Sequence, residues 1–193
     1  MKKTIKSVII LAVTVFTATT SMAQKGVLVN LNYNFSIPLG SGFRDYVDNN
    51  SFGSFQGSVL YGISERFRAG VQLSYTDFHH DVVRGHSKNT VRTTPLWAKA
   101  EYTFIPKGMV RPYLGMGAGV NFINYRKTVN NVEDHIKTTK SALTWDAGVY
   151  IPIIKSERIG ARVSTSYNAL HFKREKIKNL DNWNIAAGVT VRL

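Results

Sequence analysis

The chain has 5 histidines, and two stand beside groups that chemistry uses: His80 beside Asp81, and His86 beside Ser87. Ester hydrolysis needs a nucleophile, a base and an orienting acid within hydrogen-bond reach. On a strand, a His and a Ser meet when they are two apart on one face or on adjacent strands, whereas immediate neighbours point to opposite faces. The pair His86-Ser87 satisfies neither condition. The run His79-His80-Asp81 lacks the spaced ligand set that a metal ion requires. Gly115, Gly117 and Gly119 alternate along a strand and precede no helix, so they form no nucleotide-phosphate loop. The residues therefore predict no catalytic, metal or cofactor site.

A different chemistry, ion pairing, is suggested by six charges embedded in otherwise small polar surroundings: Arg68, Lys99, Glu101, Asp146, Arg162 and Arg192. A second set of cations, Arg126, Lys127, Lys137, Lys140, Lys173, Arg174, Lys176 and Lys178, falls in two polar stretches with Glu133, Asp134, Glu175 and Asp181 interspersed. These stretches either present cations to phosphate oxygens, which cationic side chains suit, or are ordinary solvated loops.

Both sets must be positioned by strands. In GVLVNLNYNFSIPL, the odd positions from Val27 to Leu39 are all apolar, and Asn30, Asn32, Asn34 and Ser36 line the other face. A period of two is the pattern of a strand with two unlike faces. It recurs over Phe55–Ile63, Phe67–Tyr75, Leu96–Phe104, Arg111–Phe122, Leu143–Ile151, Ile159–Tyr167 and Trp183–Leu193, and no helical periodicity emerges. Short links surround Ser64–Arg66, Ile105–Val110 and Ile154–Arg158, whereas the connections near 40–54, 77–93, 123–141 and 169–182 are long and polar. The expected fold is all-β: an eight-stranded antiparallel up-and-down transmembrane barrel with short periplasmic turns and long extracellular loops.

The ends and the composition fit that reading. Residues 1–23 carry Lys2, Lys3 and Lys6, an apolar core from Val8 to Phe16, and the small-residue site Ser21-Met22-Ala23. This is the layout of a secretory signal peptide cleaved after Ala23, and its core is too short to span a bilayer. Residues 24–193 then form one barrel domain. The chain has no Cys, so neither a lipid anchor on cysteine nor disulfides are available, and its formal charge of +13 points to anionic surfaces.

Alternation alone does not say which face is buried, and a secreted calycin-like barrel with a greasy pocket shares it. Three features place the apolar face outside. Phe35, Phe55, Tyr75, Phe122, Trp145, Tyr167 and Trp183 gather near the long-loop rim, and Tyr61, Phe67, Tyr102 and Phe104 near the short-turn rim. Two aromatic girdles are expected at the two lipid–water interfaces. The polar face is rich in Gly, Ser, Thr and Asn, which suit a crowded eight-stranded lumen. The six charges are of both signs and lie on that polar face, where pairing across the lumen would compensate them.

The signal peptide, the eight alternating segments, the run Arg111-Pro112-Tyr113-Leu114-Gly115-Met116-Gly117-Ala118-Gly119 and the strand that ends the chain resemble the small bacterial outer-membrane β-barrel proteins, the porin-family or OmpX- and OmpW-like barrels. The resemblance implies export to the outer membrane of a Gram-negative cell. It implies contact with outer-membrane lipid and lipopolysaccharide, and recognition of the last strand by the outer-membrane insertion machinery. That strand commonly finishes with an aromatic in the family, whereas here it ends Val189-Thr190-Val191-Arg192-Leu193. The expected protein is a monomer without cofactor, nucleic-acid partner or appended peptidoglycan-binding domain. Its expected role is non-enzymatic, with a largely filled lumen and extracellular loops for surface interaction or envelope integrity. A narrow channel for small hydrophobic molecules is the alternative that OmpW likeness implies, with Trp97, Tyr113 and Tyr150 lining part of it. A lipid-modifying enzyme is the third possibility.

Overall fold

The computed structural model describes residues 26–47, 50–81, 87–129, 132–153, 158–174 and 177–193. The expected signal peptide, His86 and Lys176 lie outside them. The strands are β1 (Val27–Pro38), β2 (Ser51–Gly62), β3 (Phe67–Asp81), β4 (Ser87–Thr103), β5 (Arg111–Val129), β6 (Val132–Pro152), β7 (Ile159–Arg174), β8 (Ile177–Asn179) and β9 (Asn182–Arg192), with one helix, α1 (Ser41–Val47). Eight long strands pair antiparallel in chain order, and β9 pairs with β1 from Leu28↔Arg192 to Pro38↔Asn182, which closes the barrel. Closure leaves no sheet edge within the apolar band, so backbone polar groups there are met by neighbouring strands on both sides. The three-residue β8 pairs only with the top of β7.

The outward face of the band is apolar. Leu31, Val71, Leu73, Leu114, Met116, Val163 and Ile185 are all exposed, in the same strands whose alternate residues are buried Asn, Ser, Thr and Gln. The girdle residues make contact around the wall: Trp145 stacks on Tyr167 at 6.0 Å and Tyr167 meets Trp183 at 6.4 Å, while Tyr102 and Phe104 meet edge-on at 5.4 Å at the other rim.

Two features differ from the sequence expectation. The described parts of the stretches 77–93 and 123–141 are not loops but continuations of strands. β5 and β6 run for 19 and 21 residues, roughly ten more than a tilted strand needs to cross a bilayer. Their polarity inverts on the way up. Outward residues change from Tyr75 to Asp77 and His79 in β3, from Leu96 to Thr94 and Arg92 in β4, and from Phe122 to Asn124 and Arg126 in β5. The buried face changes in the opposite sense, to Phe78, Val91, Ile123, Tyr125, Leu170 and Phe172. The period of two persists while the solvent outside changes from hydrocarbon to water, so the apolar residues swap faces. Read as one phase, the pattern looks broken there, which is why these segments resemble polar loops.

The second difference is α1, seven residues without a detectable helical period. Gly40, at φ +80°, turns the chain into it, and the Arg44 amide donates to the Gly40 carbonyl at 3.0 Å. Phe43 and Val47 point onto the apolar inner face, and Ile177 and Leu180 from the β8 segment join them. The Leu39 amide donates to the Asp181 carbonyl at 2.8 Å, tying the two cap segments together. An apolar cap of side chains thus packs inside the long-connection end of the bore.

Candidate lumen charge network and outer basic face

Strand register explains how the lumen charges meet. Arg68, Glu101, Gly115, Asp146 and Ser166 are successive partners across β3 to β7. Gly115 separates the two carboxylates, and a side chain there would put its Cβ 2.3 Å from Asp146 Oδ1. The missing side chain therefore makes room for the Asp146 carboxylate inside the bore.

Lys99 Nζ lies 3.1 Å from Glu101 Oε1 and 3.0 Å from Asp146 Oδ2. From the far wall, Arg162 reaches Glu101 with both terminal nitrogens: Nη1 donates to Oε2 at 3.1 Å and Nη2 to Oε1, and Nη2 also lies 3.6 Å from Asp146. The Arg162 guanidinium rests 3.9 Å from the centre of the Tyr113 ring. Lys99 also donates to Gln72 Oε1 at 2.6 Å, and Gln56 Nε2 donates to the same oxygen at 2.8 Å. A continuous polar chain thus crosses from β2 to β7. Glu101, Lys99 and Arg162 are at most 3 % exposed.

Of the six charges singled out in the sequence, these four converge. Arg68 is also buried, but its Nη1 donates to the Thr103 hydroxyl at 3.0 Å rather than to a carboxylate. Arg192 sits lower, at the short-turn mouth beside Arg68 and Arg111. Arg111, which sequence reasoning passed over as the start of a strand, is buried there, donates from Nε to the Gly108 carbonyl at 3.0 Å and faces the Tyr150 ring. Its position on the same face as Tyr113 was the available signal.

The second set of cations is split. Arg126 and Lys137 are exposed and lie on the outward face of the β5–β6 extension, where Arg126 is opposite His135 and Lys137 opposite Asn124. Lys140, Lys173 and Lys178 are exposed as well, and Lys127 is partly buried on the other face. The Arg174 side chain lies outside the described set. Arg92, another residue the sequence reading missed, joins the outward group and pairs with Asp77 at 2.9 Å. Arg92 and Lys137 line a surface cavity of about 460 Å³ with Tyr75 and Phe122 below them. β6 pairs with β7 only from Ala142↔Leu170 downward, so its upper part presents an edge carrying Lys137 and Lys140. Charge on an exposed edge discourages unwanted strand addition.

Among the described residues, no group of three or more His, Asp or Glu is placed to hold a metal ion. The His135 ring nitrogen Nε2 is bonded instead to Asn124 Oδ1 at 2.7 Å.

A family model described as outer membrane protein beta-barrel domain matches residues 8–192. The chain belongs to this family. It is a bacterial outer-membrane β-barrel protein, and its apolar band and aromatic girdles face lipid. Solved structures share the fold at low sequence identity. Neisserial surface protein A is 20 % identical, with 88 % of this chain and 97 % of that chain covered and a TM-score of 0.59. The attachment invasion locus protein Ail of Yersinia pestis, solved with the heparin analogue sucrose octasulfate, is 14 % identical, with 88 % and 97 % covered and a TM-score of 0.52. The outer membrane protein AlkL, solved in lipid bilayers, is 11 % identical, with 91 % and 93 % covered and a TM-score of 0.53. Among proteins of curated function, none matches the chain by sequence. The family places the short turns on the periplasmic side and the apolar cap outside the cell.

Proposed function

We propose that this barrel is a non-enzymatic surface protein with a closed bore, presenting a rigid polar extension above the membrane. The observation that carries this reading is the bridge from Arg162 on β7 to Glu101 on β4, with Lys99 and Asp146 filling the space beside it. Buried pairs in that geometry fill and cross the lumen, and the apolar cap closes it a second time. Single-channel recording of the refolded barrel in a planar bilayer tests this reading. Folded, inserted protein is expected to give no discrete conductance steps, and reproducible steps would replace the closed bore by the channel reading.

The cations above the extracellular girdle suit lipopolysaccharide as the partner. Arg92, Arg126 and Lys137 face outward one or two rungs above Tyr75 and Phe122, at the level where head-group phosphates stand. Ail, of like fold, was solved with a polysulfated sugar, a ligand of the same anionic class. Replacing Arg126 and Lys137 together by Gln should weaken binding to lipopolysaccharide vesicles by roughly fivefold at low salt, and the difference should shrink by 0.5 M salt as screening shortens to a few ångströms. Affinity indifferent to both salt and the substitutions would remove lipopolysaccharide phosphate from the proposal.

A further inference from the structure

The lipid-facing wall is not uniformly filled. Two adjacent rows of outward side chains run around it, one rung apart. The lower row pairs Phe67, Tyr102, Leu114, Ala147 and Thr165 in succession from β3 to β7. The upper row pairs Ala100, Met116, Trp145, Tyr167 and Trp183 from β4 to β9. Bulky residues begin the lower row and end the upper one, and the small side chains Ala100, Ala147 and Thr165 stand across from them. Between the rows lies a slot of about 580 Å³. It begins at Phe67, the first residue of β3 at the short-turn rim, and climbs beneath the Trp145–Tyr167–Trp183 rings.

The slot offers its occupant an apolar surface. The Thr165 hydroxyl donates to the Asn184 carbonyl at 3.1 Å and so is already engaged. Glu101 and Asp146, in the wall behind, turn their carboxylates into the lumen, where Lys99 holds both. Strand pairing runs unbroken beneath the slot, so it is no window into the bore. Its lower mouth carries a cation. Arg66 is exposed in the turn before β3, and its Nη1 donates to the Tyr102 hydroxyl at 3.3 Å. The neighbouring carboxylate, Glu65, pairs with Lys107 at 3.1 Å.

An unfilled hollow forfeits dispersion contacts along its whole lining, so whatever fits it is held there. Neighbouring side chains on one face of a strand stand about 7 Å apart, which makes the slot one hydrocarbon chain wide. The wall of a second barrel would bridge it instead. The slot is continuous with the band that faces lipid, and the mouth at Arg66 lies at the level of the periplasmic-leaflet phosphates, whose oxygens a guanidinium matches.

We infer that this slot binds one phospholipid of the periplasmic leaflet, with an acyl chain laid between the two rows and the phosphate at Arg66. The site is on the outside of the barrel and stands whether or not the bore conducts.

The test is native mass spectrometry of the refolded barrel in maltoside detergent, titrated with phosphatidylglycerol. A single lipid is expected to saturate before further ones add. Ala147→Phe, which fills the slot, and Arg66→Gln should each weaken that first binding by about fivefold or more. Both substitutions lie outside the lumen network, and circular dichroism checks that each variant keeps its strands. Ala187→Phe, on the exposed wall of β9 away from the slot, should leave binding unchanged. A statistical series of lipid adducts with no preferred first one would overturn the inference, as would a first binding that either Ala147→Phe or Arg66→Gln leaves intact. Barrel dimers that Ala147→Phe disrupts would assign the slot to a second copy and overturn it as well.

Discussion

Glu101→Gln is expected to lower the unfolding free energy of the refolded barrel by about 3–5 kcal/mol, the range for removing one partner of a buried ion pair. The substitution keeps the shape of the side chain but withdraws the charge that Arg162 and Lys99 share. Two buried cations then depend on Asp146 alone, 3.0 Å from Lys99 and 3.6 Å from Arg162. Urea unfolding in detergent or lipid measures the change. A double substitution, Glu101→Met with Arg162→Met, provides the control. It removes one anion with one cation and leaves the Lys99–Asp146 pair matched, so it should cost far less than Glu101→Gln. Equal losses in both variants would show that the packing of these side chains matters and their charge does not.

Phe78→Ala has the second large expected effect, and a different distribution. Phe78 is fully buried in the extracellular cap and meets Phe43 of α1 edge-on, with ring centroids 5.1 Å apart. Truncating a buried Phe costs about 3–5 kcal/mol. The cap lies above the lipid, and the backbone pairing of the membrane band does not depend on Phe78. The loss should therefore appear as local opening, because cooperative units outside the most stable core open separately. Hydrogen exchange is expected to accelerate by two orders of magnitude or more for the amides of α1 and the upper β3–β4 hairpin, while those facing the apolar band keep their protection. Uniform acceleration over the whole barrel would mean that cap and band unfold as one unit.

The two variants probe the two side-chain clusters inside the barrel, and the clusters differ in how far they can be read from sequence. The charged cluster was legible in its membership. Lys99, Glu101, Asp146 and Arg162 stand out as long charged side chains on a face otherwise built of Gly, Ser, Thr and Asn. Which of them touch was not legible, since Arg162 and Glu101 are 61 positions apart and three strands around the wall. Arg68 and Arg192 carry the same sequence signature and lie outside the convergence. The apolar cluster was hidden because its residues occupy the opposite parity to the lipid-facing set. Phe78, Ile123, Tyr125, Leu170 and Phe172 each follow a girdle residue by an odd number of positions, or lie on the phase that such a step begins. A search for the point at which the apolar phase changes would have located both the membrane surface and the cap.

The sequence by itself determined the period-two strands, the closed barrel they imply, the sidedness of its two rims and the choice of an apolar exterior. Those properties follow from the pleat, which alternates side chains locally, and from the solvent that each face meets. Only the tertiary structure decided which charges pair across the bore, that α1 and β8 fold together over its outer mouth, and that three arginines from β3, β5 and β9 meet at its inner one. These depend on closure and stagger of the barrel, which bring residues from distant strands to one height, and no local pattern records that height.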